Sequence, residues 1–228
     1  MSLQNQNENY LGNVNVKRDG ILQEWTQESV LEYAQCMKDP IYFAEKYCKV
    51  ISLDQGLVPF NLYPYQRKMF QQFQENRFNV ILACRQSGKS ISACAYLLWF
   101  ALFNPEKTIA ILANKGATAR EMLSRVTLML ENIPFFLQPG TKALNKGSLE
   151  FSNNSRIIAA ATSGSSIRGL SATYSTWMSL LLLSVLLSSI LLLIQLYLPV
   201  KTPRSSLHLR QMESEIRFIK SGKARHKE

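Results

Sequence analysis

Aspartate is scarce in this chain and absent from most of it. It occurs at Asp19, Asp39 and Asp54, and none follows in the remaining residues. Histidine is limited to His208 and His226, both close to the C-terminal end. We therefore expect neither histidine-based catalysis nor a histidine metal site, and any magnesium site built after residue 54 lacks the aspartate that usually holds this ion.

Paired cysteines and an N-terminal signal sequence are also missing. The four cysteines show no metal-binding spacing and predict reduced thiols in a cytosolic protein; they are Cys36, Cys48, Cys84 and Cys94. Residues 1–26 are polar, begin rich in Asn and Gln, and are expected to be mobile. Acidic residues are outnumbered, because 26 Lys and Arg against 16 Asp and Glu give a net charge of +10. That charge suits a polyanionic partner but is weak evidence for one.

A phosphate-binding motif is nevertheless present. Residues 83–90 read Ala-Cys-Arg-Gln-Ser-Gly-Lys-Ser, close to Gly-x-x-x-x-Gly-Lys-Ser, with Ala83 in place of the first glycine. The apolar run Asn79–Ala83 predicts a buried strand before the motif, and Ile91–Phe100 predicts a helix after it. The alternative is a chance Gly-Lys-Ser at the start of an ordinary helix.

The chemistry of the motif follows from its residue types. Successive backbone N–H groups of such a loop and of the helix N-terminus form a cradle for an anion. Gly88 lets the backbone approach the phosphates closely. Lys89 would reach the β- and γ-phosphates, and Ser90 would place its hydroxyl on Mg²⁺.

The remaining pattern predicts an α/β fold. Strand, helix, strand and helix alternate from residue 79 onward, which favours a parallel sheet with right-handed crossovers. A hairpin is predicted to turn at Asn153-Asn154. The other predicted helices are 28–37, 40–50, 62–73, 91–100 and 117–132, with a strand at 108–113 and the hairpin spanning 143–161.

Six motifs in order along the chain carry a family resemblance. They resemble the N-terminal ATPase of terminase large subunits of tailed bacteriophages, the motors that package DNA into proheads, and most closely the myovirus type. The resemblance covers roughly residues 39–171. No single motif suffices, since phosphate loops occur in many NTPases, but the ordered set is specific. The motifs are Asp39–Phe43, Leu62–Gln66, Arg85–Ser90, Ile111–Lys115, Leu144–Ser148 and Thr162–Gly169.

This resemblance implies a P-loop NTPase of the ASCE type, with ATP and Mg²⁺ as cofactors and a parallel sheet flanked by helices. Residues 27–171 would form a partial ATPase domain. Lys89 and Arg85 would act in catalysis, Arg85 by sensing the γ-phosphate, and Ser90 would hold Mg²⁺ through ATP. The nucleotide-binding residues would be Tyr65, Gln66, Arg85, Gln86, Ser87, Gly88, Lys89 and Ser90.

Some of these roles have simpler alternatives. The resemblance implies that Gln66 selects adenine, but it is also readable as an ordinary polar helix residue. Arg168 corresponds to a family arginine that contacts the nucleotide or a neighbouring subunit. Both Arg85 and Arg168 are also readable as solvated surface cations.

The pattern breaks after Ser171. The family places a buried strand ending in Asp-Glu here, the Walker B carboxylates, whereas this chain continues into an apolar run at 178–200 and a basic segment at 201–228. We expect the sheet to lose its strand beyond the hairpin and to expose an apolar edge. Read literally, residues 178–200 form a transmembrane helix with a cytoplasmic C-terminus, because about 20 apolar residues span a bilayer.

A frameshift near Ala172 is the other interpretation of residues 172–228. Trp177-Met178 is encoded TGGATG, and reading from its third base, with AGT for Ser179, gives GAT GAG, which is Asp-Glu. The same frame permits Asn-Leu-Leu-Tyr-Leu before that pair. Over Leu207–Glu213 it permits Ser-Ser-Thr-Pro-Asn-Gly, which resembles the coupling motif of the family. Two family motifs in one shifted frame favour this hypothesis.

The resemblance implies double-stranded viral DNA, the portal and the small terminase subunit as partners, a ring oligomer, and a location in the host cytoplasm. The chain as written is expected to bind ATP weakly and to hydrolyse it near background. Three alternatives remain open. They are a membrane-anchored nucleotide-binding protein, a non-catalytic fragment that poisons motor assembly, and a generic helicase-type ATPase.

Overall fold

The computed structural model describes residues 9–52, 54–84, 86–162 and 172–178. The predicted apolar run 178–200 and basic segment 201–228 lie outside these residues, apart from Met178. The helices are α1 (Gln27–Lys38), α2 (Pro40–Tyr47), α3 (Pro64–Glu75), α4 (Lys89–Phe103) and α5 (Gly116–Leu130). The strands are β1 (Asn9–Tyr10), β2 (Asn13–Lys17), β3 (Lys49–Ser52), β4 (Gly56–Pro59), β5 (Thr108–Ala113), β6 (Thr141–Leu144), β7 (Ser148–Phe151), β8 (Arg156–Ala161) and β9 (Tyr174–Met178).

A five-stranded sheet forms the centre, in the order β6-β7-β8-β5-β9. Strand β5 pairs in parallel with β8 and with β9, whereas β6, β7 and β8 pair antiparallel. The predicted hairpin with its turn at Asn153-Asn154 is confirmed, and Asn154 adopts a positive φ of 61° in that turn. The predicted parallel pairing is present between β5 and its neighbours β8 and β9. Strands β6 and β7 join the sheet antiparallel, because short turns connect β6 to β7 and β7 to β8.

The core lies between this sheet and the helices α4 and α5. Ile109 and Ile111 of β5 have no exposed surface, and neither has Leu98 of α4. Helix α4 is apolar nearly all round, as expected of a helix enclosed on several sides. Burying each of these large aliphatic side chains contributes roughly 1.5–3 kcal/mol.

Strand β9 corrects the expectation that the sheet ends at the hairpin. Residues 174–178 pair in parallel with 109–113, from Ile109 opposite Tyr174 to Ala113 opposite Met178. The Tyr174 ring lies 5.5 Å from Phe100 and 6.0 Å from Tyr96, both on α4. The sequence as written therefore supplies a strand here, because its Tyr, Thr and Trp are residue types with a high strand propensity.

The predicted strand Asn79–Ala83 is wrong. These residues belong to no strand of the described sheets, and Val80 and Leu82 are 94% and 100% exposed. An apolar run forms a strand only where a neighbour accepts its backbone hydrogen bonds. In the described part of the sheet, β5 is already paired on both edges, by β8 and β9.

The N-terminal residues differ from the expected mobile segment. Residues 9–17 form a hairpin, β1 with β2, in which Val16 is buried. The Gln138 amide fastens it to the domain, because Oε1 accepts from the Lys17 N–H at 3.0 Å and Nε2 donates to the Asn15 carbonyl at 3.0 Å. A mostly polar segment is thus held both by hydrogen bonds and by the burial of Val16 in the core.

Helices α1 and α2 meet at a cluster around Glu32. Its carboxylate accepts from Lys46 Nζ at 2.8 Å, the Tyr47 hydroxyl at 2.8 Å and the Tyr42 hydroxyl at 2.9 Å. Burial raises the pKa of Glu32, but these three donors together lower it below its usual value. Helix α2 ends at Tyr47 rather than at the predicted residue 50, since Lys49–Ser52 pairs as β3 with β4.

No helix in the described ranges combines the length and the apolar character needed to cross a bilayer.

Candidate phosphate-binding loop

The loop of residues 84–90 joins an extended segment to α4, and α3 lies beside it. In this loop the structure describes Cys84, Gln86, Ser87, Gly88 and the first turn of α4. Arg85 lies outside the described residues. Gln86 and Gly88 have positive φ values of 60° and 75°. The chain therefore turns sharply twice before it enters the helix.

Gly88 sets the conformation at the helix start. It is the N-cap of α4, with φ 75° and ψ 7°, the left-handed region that glycine adopts without strain. Lys89 follows in right-handed helical conformation. A left-handed residue followed by a right-handed one aims successive N–H groups at a common point, and such a concavity binds anions. The helix dipole favours negative charge at the same place.

Two side chains of the loop turn back onto one carbonyl. Lys89 Nζ donates to the Cys84 carbonyl oxygen at 2.8 Å, and the Ser87 hydroxyl donates to the same oxygen at 3.0 Å. The ammonium is thereby held across the mouth of the loop by an uncharged acceptor. A phosphate oxygen is a stronger acceptor for an ammonium than a carbonyl is, so an anion could take Lys89 from Cys84.

The N-terminus of α3 contacts the other side of the loop. The Tyr65 hydroxyl donates to the Ser87 carbonyl oxygen. Gln66 is buried, with 2% of its surface exposed, and its Oε1 accepts from the Tyr63 N–H at 2.9 Å. A Cβ added at Gly88 would lie 2.6 Å from Gln66 Nε2, so the amide packs directly against this glycine.

The loop lies at the carboxyl end of the parallel strands. Helix α4 ends at Phe103 and β5 begins at Thr108, and this short connection makes helix and strand antiparallel. Tyr96 and Phe100 contact Tyr174 at the start of β9. From Tyr96 back to Lys89 the helix rises about 10 Å, and from Tyr174 to Met178 the strand rises about 13 Å. The start of α4 and the end of β9 therefore reach a similar level.

Residues 80–175 match a family described as the terminase large subunit, T4-like virus type, N-terminal. The fold of this chain is also similar to that of the large terminase of bacteriophage HK97, with a TM-score of 0.51 and 19% sequence identity. That similarity covers 62% of this chain and 30% of the HK97 protein. The predicted resemblance to terminase large subunits is therefore confirmed over residues 80–175. The matched stretch runs from the extended segment through the loop and sheet into β9.

The fold brings most of the predicted site residues together. Tyr65 and Gln66 of α3 meet Ser87 and Gly88 of the loop, and Lys89 and Ser90 open α4. The predictions for Arg85 and Arg168 fall outside the described residues. Sequence reasoning missed the Cys84 carbonyl and the Tyr63 N–H, because a backbone group leaves no signal in residue type.

The structure gives Gln66 a role that the resemblance did not suggest. Its carbonyl oxygen caps the backbone of Tyr63, and its amide nitrogen supports Gly88. The side chain is therefore a buried connection between α3 and the loop.

Acidic groups are sparse around this terminase-like loop. No group of three or more His, Cys, Asp or Glu side chains suited to a metal ion occurs in the described ranges. Position 177 is Trp and position 178 is Met at the carboxyl end of β9. The cysteine inside α4 is inert, because burial raises the pKa of Cys94 to about 12 and keeps its thiol protonated.

Proposed function

We propose that this chain binds ATP through the loop of residues 84–90, as the nucleotide-binding part of a terminase-type DNA-packaging motor with a P-loop NTPase fold of the ASCE type. The observation that carries the proposal is the pair of left-handed Gly88 and helical Lys89, which opens an anion cradle at the N-terminus of α4. The Lys89 ammonium, turned onto the Cys84 carbonyl, supplies the positive charge.

Replacement of Lys89 tests this proposal. Lys89→Ala removes a charge-assisted contact worth roughly 1.5–3 kcal/mol, so ATP affinity should fall about tenfold to a hundredfold. Isothermal titration of the full chain with ATP measures the change. Lys142→Ala is the matched control, because Lys142 contacts Asn154 on the hairpin at 2.8 Å. Equal affinities for the Lys89→Ala variant and the unmodified chain would contradict ATP binding in this loop.

The described residues supply only part of a magnesium site. When bound, the ion would neutralise charge on the β- and γ-phosphates. Ser90 offers one hydroxyl at the start of α4, and residues 177–178 offer no carboxylate at the end of β9. We therefore expect weak ATP binding and hydrolysis near background. Hydrolysis at the rate of a packaging motor would contradict this expectation.

A shifted reading frame accounts for the missing carboxylates. The codons that give the Asp-Glu pair in the shifted frame begin at Trp177-Met178, which end β9 at a level similar to the start of α4. A carboxylate introduced there would belong to the same end of the sheet as nucleotide phosphates held by the loop. Resequencing the encoding DNA across codons 169–213 tests the idea, and stop codons in the shifted frame would rule it out.

The partners and setting of the intact motor belong to the same proposal. They are double-stranded viral DNA, the portal, the small terminase subunit and a ring of subunits in the host cytoplasm. Half of the net charge of +10 lies in residues 201–228, which hold 8 Lys and Arg and 3 Glu, so the +5 left in residues 1–171 is only weak support for contact with a polyanion such as DNA. The alternatives of a membrane-anchored protein and an inhibitory fragment depend on residues 178–228, which lie outside the described residues apart from Met178.

A further inference from the structure

The anion cradle depends on the orientation of two consecutive peptide units. The Gly88–Lys89 unit contributes the Lys89 N–H, and the Ser87–Gly88 unit contributes the Gly88 N–H. Each unit is planar and trans, so its carbonyl and its N–H point in opposite directions. A hydrogen bond that fixes the direction of the carbonyl in a peptide unit therefore also fixes the direction of the N–H in that unit.

Helix α4 itself holds the Gly88–Lys89 unit. The Gly88 carbonyl accepts from the Ser92 N–H at 3.0 Å and from the Ser92 hydroxyl at 3.0 Å. These two bonds direct the carbonyl along the helix. The Lys89 N–H consequently points out of the N-terminal end, toward an incoming anion.

The Ser87–Gly88 unit is held from another element. Its carbonyl accepts from the Tyr65 hydroxyl on α3. The Ser87 hydroxyl and Lys89 Nζ donate to the Cys84 carbonyl instead. Glycine populates positive and negative φ almost equally. Gly88 therefore does not itself favour the orientation of the Ser87–Gly88 unit that forms the cradle over the flipped orientation. An external contact must select between these states.

We propose that Tyr65 is a positioning residue that holds the Gly88 N–H in the phosphate cradle, rather than a residue that contacts the adenine base. The inference rests on the proposed ATP-binding function of the loop. It assigns Tyr65 to recognition of the phosphate chain, which every nucleoside triphosphate shares. The neighbouring Tyr63 differs, because its ring stacks on Tyr65 at a centroid distance of 5.8 Å and its backbone N–H bonds to Gln66.

The test compares two ligands and two matched variants of the full chain. The ligands are ATP and inorganic tripolyphosphate, which has the phosphates without the base, and isothermal titration gives both affinities. Tyr65→Phe removes one hydroxyl and should weaken both ligands by the same factor, roughly threefold to tenfold for one hydrogen bond. Tyr63→Phe should leave both affinities within about twofold. The ring at position 65 is 44% exposed, so the melting temperature should remain that of the unmodified chain.

Other outcomes overturn the assignment. Weaker binding of ATP with unchanged binding of tripolyphosphate would make Tyr65 a base contact. Unchanged binding of both ligands would mean that the hydroxyl does not position the loop. If the unmodified chain binds neither ligand, the proposed function itself fails and the inference fails with it. That result is visible before any variant is made.

Discussion

Residues 79–83 and strand β5 are two apolar runs of nearly the same composition, Asn-Val-Ile-Leu-Ala and Thr-Ile-Ala-Ile-Leu-Ala. Strand β5 is the most enclosed strand of the described sheet, and Leu112 within it is 2% exposed. Leu82 is fully exposed, at 100%. The two runs differ in their neighbours, since β5 has a paired strand on each edge and 79–83 has none in the described sheets. An apolar composition alone therefore does not bury a segment, because burial as a strand also requires pairing with neighbouring strands.

The largest expected effect comes from truncating the same residue type in both runs. Leu112→Ala should destabilise the protein by about 2–5 kcal/mol, because it removes buried methyl groups and leaves a cavity. Leu82→Ala should change stability by less than about 0.5 kcal/mol, as an exposed substitution does. Urea denaturation measures both. Comparable losses in the two variants would show that Leu82 is buried in solution, and the contrast between the runs would then disappear.

The second experiment tests whether contact with Gln66 of α3, rather than residues 79–83, holds the phosphate-binding loop in place. Gly88→Ala forces a Cβ into the left-handed region and against Gln66 Nε2 at 2.6 Å. Gly56 has a similar φ of 72° with nothing within 4 Å of an added Cβ, so Gly56→Ala isolates the backbone cost. That cost is about 1–2 kcal/mol. Displacing Gln66 from the Tyr63 N–H should add about 1 kcal/mol at position 88.

Equal destabilisation by the two glycine substitutions would show that Gln66 yields without cost. The support of the loop by α3 would then have to rest on Tyr65 alone. Urea denaturation again provides the measurement, and the comparison needs no ligand.

The smallest expected effect is a change of stability with pH. Neither of the two runs contains an ionisable side chain, so we expect this change to arise elsewhere, at Glu32. The pKa of Glu32 is lowered in the folded state, where Lys46 and two tyrosine hydroxyls outweigh burial. Its contribution is therefore complete above the unfolded value near 4.5 and is lost as the pH falls below it. Glu32→Gln should cost on the order of 1 kcal/mol at pH 7.

Thermal melts at pH 7 and pH 3 check this prediction. The advantage of the unmodified chain over the Glu32→Gln variant should shrink at the lower pH, because the lowered pKa makes the unfolded chain bind this proton more readily than the folded one. A constant difference between the two proteins across this range would exclude Glu32 as an acid-sensitive group. Glu121→Gln is the control, because the Glu121 side chain is 63% exposed in its pair with Arg125.

Several elements were predictable because their signals are local. Helix α1 is close to the predicted 28–37, with Thr26 as its N-cap, and β5 matches 108–113. The turn at Asn153-Asn154 follows from residue type. Strand β9 was missed because its sequence was interpreted through the family pattern that it departs from. The hairpin of residues 9–17 was missed because its attachment through Gln138 links positions more than a hundred residues apart.

By itself, the sequence determined where this protein has helices, which glycine opens the loop, and which family its ordered motifs resemble. These features depend on residue type and short spacing. The tertiary structure alone decided that Val80 and Leu82 stay exposed, that β9 joins β5, and that the Tyr65 hydroxyl holds the Ser87 carbonyl. Each of these depends on whether folding brings a partner from a distant part of the sequence. The residue type of a hydrogen-bonding or apolar group shows that it can make a contact, but it does not show which distant residue will be its partner in the folded protein.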